Sequence, residues 1–189
     1  MKKYEFTGET KEIKLLFRTA VLHRIRATVS FGFVKIGDLG GWIEKEENLS
    51  HEGKAWVCGD AKVWGNAKVC GDAKVCGDAK VCGDAMVCGD AKVCGDAMVW
   101  GNAEVFSASH VLVIGAIGSR NDFTTFYRDK DNEITVKCGC FLGKIDRFLE
   151  KVTQTHGDSK YALVYRAAVE VAKLQIDLSG EAPKDADEE

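Results

Sequence analysis

Proline is almost missing from this 189-residue chain, and its single copy, Pro183, lies close to the end. Backbone amides through the whole body are therefore free to join hydrogen-bonded ladders, since nothing there lacks a donor. Long apolar runs are missing too. No stretch approaches the roughly 20 residues that a membrane-spanning helix requires. The opening MKKYEFTGET is basic and then polar, without the apolar centre of a signal peptide. The expectation is a cytoplasmic protein with no membrane partner. Charge of one sign is also scarce: the formal net charge is −3, and much of the acid gathers in the ending GEAPKDADEE. Without that ending the body is close to neutral, which leaves no broad basic surface for a nucleic-acid polymer. Residues 179–189 have little to bury and read as a disordered acidic tail. Cysteine is plentiful, with eight copies. In a reducing compartment thiols stay free, so these are expected to be thiols rather than a disulfide framework.

What the chain does have is a beat of six. From Val57 to Glu104 the pattern Val-x-Gly-Asp/Asn-Ala-x recurs eight times without a gap. Such a period cannot be a helix, whose apolar positions recur near 3.6, and a glycine every sixth residue would weaken one further. A short strand followed by a corner does fit. In Ala-Lys-Val-Cys the side chains alternate, with Ala and Val on one face and Lys and Cys on the other. Gly-Asp or Gly-Asn then turns the chain, because these residues tolerate left-handed backbone angles. Three corners close a triangular coil, and successive coils stack as parallel strands about 4.8 Å apart. Counting by eighteen places Cys58, Cys76 and Cys94 in one outward column. Trp64, Cys82 and Trp100 form a second, and Cys70, Cys88 and Phe106 a third.

Residues 51–110 carry eight near-perfect hexads and so resemble the hexapeptide-repeat, left-handed parallel β-helix family. The left hand is implied by that resemblance; the usual rule for parallel crossovers would give the other. The fold class expected is mainly β, with residues 1–50 as an N-terminal β cap and 51–112 as the β-helix. Residues 113–178 then form a C-terminal module of one β-hairpin and two helices. The leader GDLGGWIEKEENLS is similar to that of hexapeptide-repeat proteins in bacteriophage and prophage genomes. Trp42 and Trp56 are expected to pack over the first coil, and His23 to be structural.

No metal site and no cofactor are expected. Trp occupies the cysteine slot at Trp64 and Trp100, which a thiolate metal site would not tolerate, and the hexads contain no zinc-type cysteine spacing. Asn66 and Asn102 take the Asp slot, so the acidic column is turn chemistry rather than a calcium site. An outer face bearing Trp, Cys and Phe is more apolar than a solvated one, and a second subunit is expected to cover it in a dimer or trimer.

In the C-terminal module, DFTTFYRDKDNEITVKCGCF alternates about the turn DKDN and reads as a hairpin. Ile145, Phe148, Leu149 and Val152 fall at helical spacing, and a second helix is expected over roughly 160–176, capped by Asp158 or Ser159. Three glycine-bearing junctions, GSRND, CGC and THGDSKY, concentrate the polar residues. Arg120 and Lys160 supply positive charge, and the start of the second helix offers amides to an anion. Ser119, Thr124 and Thr125 are hydrogen-bond donors; Phe123, Phe126 or Tyr161 are candidate stacking rings. With Asp122, His156, Gly157 and Asp158 these residues form a candidate site for a phosphate-bearing small molecule. They are equally the caps and turns that a small module needs.

The string GSRND, TTFYR, CGCF, THGDSKYA is similar to a C-terminal signature that accompanies the phage leader. That resemblance implies a non-enzymatic sponge for nucleotide second messengers of anti-phage immunity, of the cyclic ADP-ribose or cyclic nucleotide kind. Two other functions stay open. The fold also resembles acyltransferases that use a histidine as general base, but the hexads hold no histidine, and His51 and His110 flank them on no insertion. A purely structural assembly role is the third.

Overall fold

The computed structural model describes residues 2–179, so the tail at 180–189 lies outside the described residues. A long antiparallel pair opens the chain, β1 (Tyr4–Lys14) with β2 (Thr19–Ala27), and β3 (Leu39–Ile43) pairs back onto β2. Nine two-residue strands follow at intervals of six: β4 (Trp56–Val57), β5 (Lys62–Val63), β6 (Lys68–Val69), β7 (Lys74–Val75), β8 (Lys80–Val81), β9 (Met86–Val87), β10 (Lys92–Val93), β11 (Met98–Val99) and β12 (Glu104–Val105). They pair in parallel with the strand one coil away, in three sheets containing β4-β7-β10, β5-β8-β11 and β6-β9-β12. The result is a parallel β-helix of about four turns.

Inside the prism every Val and Ala of the hexads, from Ala55 to Val105, is fully buried. The registers Val57 to Val75 and Val75 to Val93 confirm the eighteen-residue stacking. At the lower end the ladder reaches further back than the hexads. Trp42 aligns with Lys62, and Leu49 bridges to Val69, an offset two residues longer than in the repeat. The core is closed there by Tyr4, Ile25 and Val34 around Trp56, with the Phe31 ring edge-on to Trp56 at 5.5 Å. Trp42 sits instead on the outside, its indole N–H donating to Asp60 at 2.9 Å.

Two sequence expectations need correction. Trp64 and Cys82 are covered by this chain itself, under Ala20, Leu22 and Trp42, rather than by a second subunit. The N-terminal hairpin is long enough to fold over that face, while Trp100, beyond its reach, stays 41% exposed. Disulfides also occur: Cys58 is bridged to Cys76 and Cys70 to Cys88, with Cα separations of 4.8 and 4.6 Å. One strand spacing is itself within disulfide range, so stacked cysteines meet without any backbone adjustment.

The upper end of the prism is closed by a four-stranded antiparallel sheet in the order β13 (Val111–Ile117), β14 (Asp122–Arg128), β15 (Ile134–Cys138), β16 (Phe141–Lys144). Its two faces have different tasks. Tyr127 joins the prism core, and its hydroxyl donates to the Trp100 carbonyl at 2.8 Å. Phe126, one residue earlier, faces the other way, onto α1 (Ile145–His156) and α2 (Lys160–Gln175). The expected hairpin is thus the centre of a wider sheet, clamped between the last coil and a helical pair. No helix among the described residues is long and apolar enough to cross a membrane.

Candidate functional site

On the helical side of this sheet two tight turns and both helices surround a cavity of about 270 Å³. Ser119, Arg120 and Asp122 reach it from the β13–β14 turn, and Cys138 to Phe141 from the β15–β16 turn. Helix α1 contributes Phe148, Lys151, Val152, Thr155 and His156, and α2 contributes Tyr165. The rim is polar and exposed, while the floor is aromatic: Phe141 and Phe148 lie 5.3 Å apart, and Phe148 meets Tyr165 edge-on at 5.6 Å. The His156 ring stacks on Tyr165 at 5.8 Å.

Both turns use glycine for close approach. A Cβ on Gly118, where φ is +73°, would fall 1.9 Å from the Tyr165 hydroxyl oxygen, so that ring lies directly against the turn backbone. The second turn is held from beneath by Lys137, whose ammonium donates to the Gly139 carbonyl and covers the Trp100 ring at 4.8 Å. Burial lowers the Lys137 pKa from its usual value. Burial, and then the neighbouring Cys138 thiol, push the Tyr165 phenol up to about 12. Tyr165 is therefore a neutral donor at physiological pH.

Arg120 and Lys151 both face the cavity, and neither forms an ion pair among the described residues. Asp122 adds a carboxylate on the same rim. The arrangement is an aromatic floor with these two cations and one acceptor above it. Such a site suits a flat, anionic small molecule whose ring stacks while its charged group meets the cations.

Of the ten residues proposed from sequence, Ser119, Arg120, Asp122 and His156 line this cavity and the other six do not. The Thr124 hydroxyl is buried and donates to the Cys138 sulfur at 3.2 Å. Thr125 points to the opposite face, where its oxygen accepts the Met98 amide at 3.0 Å. Gly157 caps α1 through its amide to the Thr153 carbonyl at 2.9 Å, and Asp158 pairs with Arg166 at 3.4 Å. The Lys160 ammonium lies 5.2 Å over the ring of its neighbour Tyr161, so Arg120 converges with Lys151 and not with Lys160. Of the proposed stacking rings, Phe126 is fully buried and Phe123 packs against Gly115.

Lys151, Thr155 and Tyr165 escaped the sequence reading. Phe148, Lys151, Val152 and Thr155 stand at i, i+3, i+4 and i+7, so a helical wheel of α1 places them on one face.

A larger hollow of about 540 Å³ lies along the outer side of α1, lined by Asp146, Leu149, Glu150, Thr153 and Gln154. It offers two carboxylates, no cation and no ring, and is a poorer ligand site than the smaller cavity. The histidines that flank the hexads serve the two ends of the prism. His51 stacks on Tyr4 at 4.3 Å and accepts the Lys3 amide at 3.3 Å; buried His110 accepts the Phe106 amide at 3.1 Å. No group of three or more His, Cys, Asp or Glu side chains that could hold a metal occurs among the described residues. No protein-family model matches the chain, and no curated protein matches it either.

Proposed function

We propose that this chain is a non-catalytic binding protein that sequesters a phosphate-bearing nucleotide signal of the cyclic nucleotide or cyclic ADP-ribose class. The observation that carries the reading is the pair Arg120 and Lys151, cations without an ion pair among the described residues, above the ring floor of Phe141, Phe148 and Tyr165. A phosphate takes the guanidinium and ammonium, a base or ribose edge meets Asp122, and the base stacks beside Tyr165 and His156. At about 270 Å³ the cavity falls just below the usual range, roughly 300–1,000 Å³, which suits a single nucleotide unit. The bacteriophage origin and the role against host immunity rest on the sequence resemblance alone. The protein is further proposed to act as a homo-oligomer, a dimer or trimer. Leu163, Val171 and Leu174, exposed along α2, offer a second copy an apolar face.

Mass spectrometry of small molecules released by heating the purified protein tests the reading, followed by calorimetry with cyclic mononucleotides, cyclic ADP-ribose and coenzyme A. A released or added nucleotide should bind and be recovered unchanged. Arg120→Ala or Lys151→Ala should weaken it at least tenfold, while Lys160→Ala leaves it within about twofold, since a charge-assisted contact contributes about 1.5–3 kcal/mol. Binding of none of the nucleotides, or their conversion to product, overturns the proposal. Acyl transfer from an acyl-coenzyme A would favour the transferase instead.

A further inference from the structure

The outward columns of the prism differ in how many thiols they stack. In one, Cys58, Cys76 and Cys94 follow each other at intervals of one coil. In another, Cys70 and Cys88 are followed by Phe106, and in the third Cys82 stands alone between Trp64 and Trp100. The Cys58–Cys76 bridge therefore has a free, exposed thiol, Cys94, one coil above it. The ladder is the same on both sides of Cys76. Its amide donates to the Val93 carbonyl at 2.9 Å, as the Cys58 amide donates to Val75 at 2.8 Å. The spacing that brings Cys76 into range of Cys58 also brings Cys94 into range of Cys76, about 4.8 Å from strand to strand. The Cys70–Cys88 bridge has no such neighbour.

We propose that the Cys58–Cys76–Cys94 column is a site of intrachain thiol–disulfide exchange, in which the bridge moves one coil along the prism. The Cys94 thiolate attacks the Cys76 sulfur. The Cys76–Cys94 bond forms as the Cys58–Cys76 bond breaks, and the electron pair leaves on Cys58. The proton that Cys94 gives up to solvent is balanced by one that Cys58 takes up, and no oxidant or reductant is consumed. Displacement at sulfur needs the attacking, central and leaving atoms in a row, and three strands of one parallel sheet supply a row. All three side chains are half-buried or exposed, so no packing has to open. A low-molecular-weight disulfide that caps the Cys94 thiol, releasing one thiol, holds the bridge on Cys58–Cys76 and so changes the state of Cys58 without touching it.

Cys58 and Cys94 fall in different tryptic peptides, Ala55–Lys62 and one beginning at Val93, so their labels are read separately. The full chain is equilibrated in a mixture of oxidised and reduced glutathione, trapped with N-ethylmaleimide and digested. The expected result is a label divided between Cys58 and Cys94 that sums to one per molecule. In Cys58→Ser the bridge settles on Cys76–Cys94, and the Cys94 label falls at least tenfold. In Cys76→Ser both ends label fully. A wild-type label confined to Cys94, full labelling of both ends in the wild type, or full labelling of Cys94 in Cys58→Ser overturns the proposal. The wild-type measurement alone decides if a variant fails to fold.

Discussion

His110 shows how one ring can tie the stability of this protein to pH. It is 5% exposed, and its Nδ1 accepts a backbone amide, which only the neutral ring can do. Burial, and then the Arg128 guanidinium, lower its pKa from the ordinary 6.5, against an opposing pull from Asp177 and Asp90. The unfolded chain takes up this proton near pH 6.5 while the folded chain resists it. Stability is therefore intact above pH 6.5 and is lost as pH falls toward the depressed folded value. His51, at the other end, is lowered mainly by burial and adds in the same sense. Melting temperature should decline from about pH 6.5 downward, and His110→Gln should flatten that limb in a scan by circular dichroism. At this scale the sequence was a partial guide. Alternation along a strand sends Thr124 and Thr125 to opposite faces, so a hairpin reading already forbids both from one cavity. That Lys160 turns onto its own neighbour's ring, leaving Lys151 to face Arg120, depends on side-chain packing that no pattern displays.

The corners of the coils carry the strictest demand that any element makes. Gly77 and Gly101 share a φ of +73°, yet a Cβ on Gly77 would stand 3.0 Å from the Gly95 amide nitrogen, while one on Gly101 would meet nothing within 4 Å. Alanine at either position carries the left-handed penalty of about 1–2 kcal/mol. Gly77→Ala should lose about a further 1 kcal/mol or more by pressing on the coil above, and urea titration of the two variants reads the difference. Elements with a clean period were legible: every two-residue strand, the central hairpin and both helices. The outer strands β13 and β16 were not. VLVIGAI is apolar throughout, without alternation, and FLGK is too short to show a period. The cavity depended on these missed strands, because its two turns exist only where β14 and β15 each meet an outer partner.

For the whole molecule, the hexads settled the prism and its register, because eighteen residues is the only count that returns a three-cornered coil to its starting face. They could not reveal what would cover the outer columns, which depends on the length and path of β1 and β2. They also left open how the last coil is closed. Thr125, Tyr127 and the bridge from Asp129 to Ala103 bind the upper sheet to that coil. Because of that local attachment, chain length acts as a setting for orientation. Inserting one hexad, such as a copy of residues 75–80, should swing the cavity between the upper sheet and the helices by a third of a revolution about the long axis relative to the tip of the N-terminal hairpin. Inserting three should raise it by about 5 Å and leave its heading unchanged. Distances between spin labels at Phe17 and Cys140 should distinguish the two outcomes. A gene built from near-copies that expands or contracts by slippage during replication would thus re-aim this protein in discrete steps.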